Sequence, residues 1–141
     1  MALSIKPYIE NKERIHLIGI GGVSMNSLAE LLLSKGVPVS GSDRLRTDVT
    51  ARLEALGAAI TYEHRPENVE GASLIVRTAA VHDENPEIVR AHELGIPVME
   101  RAEAWGHIMR DYDNVVCLSG THGKTTSTSM MTMMTIEAQM D

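Results

Sequence analysis

The residues that most clearly suggest a chemical function lie in the segment 118–127, which reads LSGTHGKTTS. It follows the apolar run 115–118, which predicts a buried strand, and it leads into Ser, Thr and Met residues that can form a helix. A strand, a glycine loop and a helix start therefore follow one another in the order that binds the phosphates of a nucleotide triphosphate. The alternative is an ordinary strand-to-helix turn that contains a lysine by chance.

Each residue type in this loop suits a triphosphate and its metal ion. Gly120 and Gly123 let the backbone turn its amides toward phosphate oxygens, and Lys124 adds a positive charge. The hydroxyl of Thr125 can bind Mg²⁺. The loop is shorter than the common form of this motif, because the position of the usual first glycine is occupied by Leu118.

A second glycine loop, Gly19-Ile20-Gly21-Gly22, follows the predicted first strand and precedes the predicted first helix. Its Gly-x-Gly is typical of dinucleotide-binding sheets, but Ser24 stands where the last Gly or Ala of that fingerprint is expected. Asp43 falls at the end of the second predicted strand, where an acidic residue usually meets a ribose hydroxyl. These residues alone leave two interpretations open, a pyrophosphate site and a tight turn followed by an N-cap aspartate.

Composition narrows the class of protein. The chain has 141 residues, 43% of them hydrophobic, which is enough for one ordinary core and the start of a second. A formal net charge of −6 argues against nucleic-acid binding, which relies on clustered Lys and Arg. The single cysteine, Cys117, lies in the apolar run before the phosphate loop, where we expect it to serve in packing. Because no stretch resembles a signal peptide or a membrane span, we expect a cytoplasmic protein without membrane partners.

A repeated pattern predicts the fold. Three helical patterns end at Gly36, Gly57 and Gly95 and continue at once into apolar residues, as in βαβ units where glycine takes the left-handed conformation after a helix. We predict parallel strands at about 15–18, 37–40, 59–62, 74–77 and 97–99, and a fourth helix at about 102–109. Asn85 and Pro86 are typical of a helix N-cap and first position. The fold class is therefore α/β with a five-strand parallel sheet and flanking helices.

Six motifs occur in the same order as in one enzyme family, at 16–22, 39–43, 85–87, 95–98, 101–103 and 120–126. Over essentially its whole length the chain thereby resembles the N-terminal part of the Mur ligases, the amide-forming enzymes that build the peptide stem of bacterial cell-wall precursors. Within that family it resembles the ligases that join L-alanine to UDP-N-acetylmuramate through an acyl phosphate. The resemblance implies ATP and Mg²⁺ as cofactors.

The resemblance also implies a domain organisation. Residues 1–112 would form a Rossmann-like domain that binds the UDP-sugar without nicotinamide, and residues 113–141 would begin a truncated ATP-binding domain with its first strand, loop and helix. Such a fragment would bind the UDP-sugar and be inactive alone. We expect the segment from residue 115 onward to pack against the first domain, to pack against a second copy in a homodimer, or to be mobile.

Individual residues are implied by position. Lys124 would be catalytic and Thr125 would bind magnesium, within an ATP site formed by Gly120, Thr121, His122, Gly123, Lys124, Thr125 and Thr126. The UDP-sugar site would comprise three groups. The diphosphate would lie on Gly19, Gly21, Gly22, Val23 and Ser24, the uridine or its ribose near Ser42 and Asp43, and the substrate would border Thr78, Ala79 and Ala80. Ala79 replaces a serine of the family pattern, which removes a hydroxyl there.

Several alternatives remain open at this stage. A related ligase that recycles whole peptides onto the same sugar shares these motifs, although the pair Gly21-Gly22 favours the L-alanine ligases. A nicotinamide-binding module that also carries a lysine loop is the third hypothesis. His122 either contacts a phosphate or the sugar carboxylate region, or packs within its loop. A cluster of methionines fits a helix packed on both sides better than a metal or partner surface; its members are Met130, Met131, Met133, Met134 and Met140.

Overall fold

The computed structural model describes residues 3–139. They fall into two units, one that ends at Asp111 and one that begins at Tyr112, and each is described by itself. The strands are β1 Ile15–Ile18, β2 Val39–Ser42, β3 Ala59–Thr61, β4 Leu74–Arg77 and β5 Val98–Glu100. The helices are α1 Lys6–Glu10, α2 Val23–Ser34, α3 Asp48–Ala55, α4 Pro86–Glu93, α5 Arg101–Met109 and α6 Lys124–Glu137, with a 3-10 helix at Pro66–Val69.

The first unit is built on a parallel sheet in the order β3-β2-β1-β4-β5. Ile15 of the central strand β1 is in register with Val39 on one side and Leu74 on the other. All four residues of β1 and of β2 are buried, as expected for parallel strands covered on both faces. The α/β class and the five-strand parallel sheet predicted from the sequence are confirmed.

The three predicted glycine connections are confirmed, and they explain small shifts in two strands. Gly36, Gly57 and Gly95 all have positive φ, of 74°, 105° and 68°. The residue after each glycine donates its N–H back to the preceding helix, as in the bond from Val37 to the carbonyl oxygen of Leu32 at 3.0 Å. Because residues after these glycines still cap a helix, β2 and β5 begin later than the predicted positions 37 and 97.

Helices α2 and α4 each bury one apolar face, and two leucines at helix ends are exposed. Helix α2 buries Met25, Leu28, Ala29 and Leu32, and α4 buries Ile88 and Ala91. Leu56 and Leu94, which continue the apolar spacing of α3 and α4, are 54% and 44% exposed. Both are C-cap residues, which lie past the last regular turn of their helices. Within residues 3–139, none of the helices combines the length and the apolar composition that crossing a membrane requires.

The second unit contains α6 and corrects one prediction. Residues 115–118 do not form the predicted buried strand; Val116 is 65% exposed, and Cys117 is exposed instead of packed. A parallel strand exists only when a neighbouring strand pairs with its N–H and C=O groups, and within 112–139 the described chain has none. On α6, Met130, Met133 and Met134 are each more than 60% exposed, so the helix is not covered on both sides in this unit. Met140 lies outside the described residues.

Candidate functional site

A cleft of about 720 Å³ opens at the carboxyl ends of β1, β2 and β4. It lies where the strand order reverses between β1 and β4, which is the position at which open parallel sheets bind ligands. The first glycine loop, the segment after β2, the segment after β4 and the start of α4 all contribute to its wall. The lining residues are Gly19, Asp43, Arg44, Leu45, His64, Ala80, Val81, His82, Glu84, Asn85 and Pro86.

The first glycine loop leaves two backbone amides without an acceptor at the start of α2. Gly19 has φ of +77°, and its N–H and that of Ile20 donate to the carbonyl oxygen of Ser42 at the end of β2. Within the described chain the N–H groups of Val23 and Ser24, the first two residues of α2, have no backbone acceptor. Free amides at a helix N-terminus, together with the helix dipole, favour an anion such as a diphosphate.

Asp43 joins this loop to the segment after β2. Its Oδ2 accepts a hydrogen bond of 2.8 Å from the N–H of Gly21, and its Oδ1 accepts one of 2.7 Å from the N–H of Arg44. The amide of Gly21 is therefore occupied by Asp43, so the free donors of the loop are those of Val23 and Ser24. Asp43 also lines the cleft.

Ser42, expected near the uridine or its ribose, does not present its side chain to the cleft. Its side chain is fully buried, does not line the cleft, and donates a hydrogen bond of 2.8 Å to Oε2 of Glu87. Glu87 is itself fully buried, although a glutamate in the first turn of a helix is usually exposed. Ser42 thus belongs to a buried polar network behind the cleft.

The network is centred on the Glu87 carboxylate, and no motif in the sequence predicts it. Oε1 accepts from Asn68 at 2.8 Å and contacts Nε2 of His16 at 3.1 Å. Oε2 contacts Nδ1 of His64 at 2.7 Å in addition to Ser42. These partners come from β1, β2, the 3-10 helix and the segment before it, so one carboxylate ties four parts of the unit to α4.

The hydrogen bonds keep Glu87 ionised. Burial by itself would raise the pKa of this carboxyl, but the four donating side chains outweigh burial and hold the pKa of Glu87 below its ordinary value. An ionised carboxylate has no hydrogen to give, so each group facing it must donate. His64 therefore carries a hydrogen on Nδ1, and His16 carries one on Nε2.

The segment after β4 forms the opposite wall of the cleft. Val81 donates its N–H to the carbonyl oxygen of Thr78, which makes a turn, and Ala80 in that turn lines the cleft. The guanidinium of Arg77 donates to the carbonyl oxygen of Val81 at 3.2 Å and also pairs with Asp83. Ala79 is exposed and does not line the cleft.

In the second unit the lysine loop leads directly into α6. Gly123 is the N-cap with φ of +75°, and no heavy atom outside its neighbours lies within 4 Å of where a Cβ would be. The N–H groups of Lys124, Thr125 and Thr126 have no backbone acceptor within the described residues, so they are available to phosphate oxygens. The ammonium of Lys124 donates to the carbonyl oxygen of Gly120, inside the same loop. His122 is exposed and makes no hydrogen bond within the described residues.

Comparison with known proteins agrees with these features. The model of the Mur ligase family, catalytic domain, matches residues 14–113. The UDP-N-acetylmuramate--L-alanine ligase of Clostridium novyi (strain NT) is 48% identical over 132 residues, which cover 94% of this chain and 29% of that enzyme. The chain thus spans about 29% of the length of a curated relative that it matches.

Two solved structures are similar to this one. The UDP-N-acetylmuramate-alanine ligase of Thermotoga maritima superimposes with a TM-score of 0.85 at 35% identity, over 90% of this chain and 30% of that structure. The UDP-N-acetylmuramate:L-alanyl-gamma-D-glutamyl-meso-diaminopimelate ligase of Neisseria meningitides gives 0.81 at 27% identity, over 89% and 40%.

Proposed function

The chain belongs to the Mur ligase family, and we propose that it is the UDP-sugar-binding part, with the ATP loop, of an ATP-dependent ligase that joins L-alanine to UDP-N-acetylmuramate. The observation that carries the proposal is the cleft at the reversal of strand order, lined by Gly19 of a loop that leaves two helix amides free, in a chain 48% identical to an enzyme named for that reaction.

The first unit is proposed to hold the UDP-sugar. The diphosphate would lie against the free amides of Val23 and Ser24, and the space beside Gly19 is open, since a Cβ there would meet no protein atom within 4 Å. The nucleoside would extend into the cleft toward Asp43 and His64. Because the hydroxyl of Ser42 is buried, it would not touch the ligand and would act only through its hydrogen bond to Glu87.

The second unit is proposed to supply the triphosphate contacts. The free amides of Lys124, Thr125 and Thr126 fit phosphate oxygens, and the Lys124 ammonium would leave the Gly120 carbonyl to neutralise charge on the transferring phosphoryl group. The Thr125 hydroxyl would be one ligand of Mg²⁺. ATP would convert the substrate carboxylate into an acyl phosphate, the amine of L-alanine would attack its carbonyl carbon, and inorganic phosphate would leave.

A ligase that attaches a peptide to the same sugar is the second candidate, because the structure of such an enzyme superimposes with a TM-score of 0.81. The identity is lower there, 27% against 35% for the structure of the L-alanine ligase, which favours L-alanine as the acceptor. Activity of the complete ligase with L-alanine and with the tripeptide, measured as phosphate release, separates the two.

Calorimetry tests the proposed binding on the 141-residue chain. UDP-N-acetylmuramate is expected to bind, whereas NADH is not. Tight binding of NADH without binding of the UDP-sugar would reject the proposal and support the nicotinamide-binding module instead. UMP serves as a comparison ligand, since loss of one phosphate should weaken binding if the free amides of α2 hold the diphosphate.

A further inference from the structure

The imidazole of His64 bridges the buried network and the cleft. Its Nδ1 lies 2.7 Å from Oε2 of the buried Glu87, and its side chain lines the cleft and is 20% exposed. Nε2 lies on the other edge of the ring. Within the described residues this atom has no hydrogen-bond partner, and it is not a buried atom.

The hydrogen bond made by Nδ1, on the inner edge of the ring, determines whether Nε2, on the outer edge, can accept a hydrogen bond from a ligand. The ionised Glu87 accepts from Nδ1–H, so in the neutral imidazole Nε2 carries a lone pair and no hydrogen. A histidine that rotated freely would offer either nitrogen to a ligand. Here Oε1 and Oε2 are already held by Asn68 and Ser42, so the carboxylate that orients the ring is itself fixed.

We infer that His64 is a specificity-determining residue that accepts, through Nε2, a hydrogen bond from a donor group of the nucleoside in the cleft, and that Glu87 is the positioning residue that orients it. The inference rests on the proposed function for the identity of the ligand. Two groups of a uridine nucleotide have the required chemistry, a ribose hydroxyl and the imide N3–H of the base. Both are neutral donors, which a fixed acceptor distinguishes from analogues that lack them.

Two substitutions of His64 distinguish the role of Nδ1 from that of Nε2. In His64→Asn the side-chain amide replaces Nδ1, which keeps a donor for Glu87 and removes the acceptor from the cleft. In His64→Gln the longer amide reaches the place of Nε2 and restores an acceptor oxygen there. We expect His64→Asn to weaken UDP binding by roughly three- to tenfold, the worth of one hydrogen bond, and His64→Gln to recover most of the loss. Thermal melting should show that both variants remain folded.

Analogues of UDP identify the donor. The 2′-deoxy, 3′-deoxy and N3-methyl forms are titrated into the wild-type chain and into His64→Asn, which gives a protein–ligand double-mutant cycle. The analogue that lacks the true donor should bind the wild-type chain more weakly than UDP does. Its affinity should not fall further in His64→Asn. The inference would be overturned if all three analogues lost the same affinity, or if His64→Asn bound UDP as tightly as the wild-type chain does. In either case the proposed function would stand, because the wild-type chain would still bind UDP. If the wild-type chain bound no UDP, both would fall.

The positioning role of Glu87 has its own spectroscopic test. Nitrogen-15 spectra of the histidine rings report which nitrogen carries the hydrogen, and we expect the Nδ1–H form for His64 in the wild-type chain. In Glu87→Gln the amide can present a donor to Nδ1, so the Nε2–H form should gain population and UDP affinity should fall. An unchanged tautomer in Glu87→Gln would refute this role, whatever the stability of the variant.

Discussion

The backbone N–H of Gly21 donates a hydrogen bond of 2.8 Å to Oδ2 of Asp43, which fixes the loop after β1 against the end of β2. A Cβ on Gly21 would lie 2.8 Å from that oxygen and 3.0 Å from Cγ2 of Thr50. The carboxylate cannot move aside freely, because its other oxygen accepts from the N–H of Arg44. A glycine is therefore required here for close approach of the chain.

Gly21→Ala is expected to lower the free energy of unfolding by about 1–3 kcal/mol, the usual cost of forcing an extra methyl into a packed site. It should also weaken binding of UDP-N-acetylmuramate, since the loop and Asp43 must separate. Urea unfolding and calorimetry measure the two effects. Gly106→Ala is the matched control: its Cβ would meet no atom within 4 Å, and replacing glycine inside helix α5 should stabilise by about 0.5–1 kcal/mol. Equal midpoints for Gly21→Ala and the wild-type chain would contradict this account.

The lowered pKa of Glu87 predicts a dependence of stability on pH. Its ordinary value is 4.5, and the folded value lies below it. Its stabilising contribution is therefore fully present above about pH 4.5 and is lost as the pH falls through the folded pKa. The free energy of unfolding, measured by urea titration from neutral to acidic pH, should fall less steeply in Glu87→Gln than in the wild-type chain. Glu67→Gln, at an exposed position, should keep the wild-type slope; equal slopes for all three proteins would reject the prediction.

Lys124→Ala is expected to abolish turnover without changing the affinity for the UDP-sugar. Lys124 belongs to the second unit and the cleft proposed to bind the UDP-sugar belongs to the first, so calorimetry should give unchanged affinity for UDP-N-acetylmuramate. In the complete ligase the same substitution should abolish turnover, because the charge on the transferring phosphoryl group loses its partner. Lys35→Ala, an exposed lysine after α2, should change neither quantity. Near-normal turnover of Lys124→Ala would show that the loop has another role.

The 141-residue chain by itself should bind a uridine diphosphate ligand and bind ATP weakly at best. All residues of the lysine loop are exposed, so a nucleotide there would meet protein on one side only. We expect no phosphate release when ATP, UDP-N-acetylmuramate and L-alanine are supplied together. Amide formation or tight ATP binding by this chain would disprove the expectation.

Local features of the sequence were sufficient to predict the sheet and its connections. These features act over a few residues, so they can be read along the chain. They are a glycine after a helix, the N-cap Asn85 followed by Pro86, and the spacing of apolar residues. Gly19 of the glycine loop and Asp43 both line the cleft, because the carboxyl ends of parallel strands lie at one edge of the sheet.

Only the tertiary structure decided the polar network behind the cleft. In the sequence Glu87 is an ordinary first-turn acid, yet it is buried and bonded to His16, 71 residues away. The same dependence on distant partners explains why the apolar run 115–118 is not a strand: apolar character favours burial, but a strand forms only where another strand completes its hydrogen bonds. Spacing along the chain thus determined the elements, whereas pairing between distant residues determined which side chains are buried, charged or placed at the cleft.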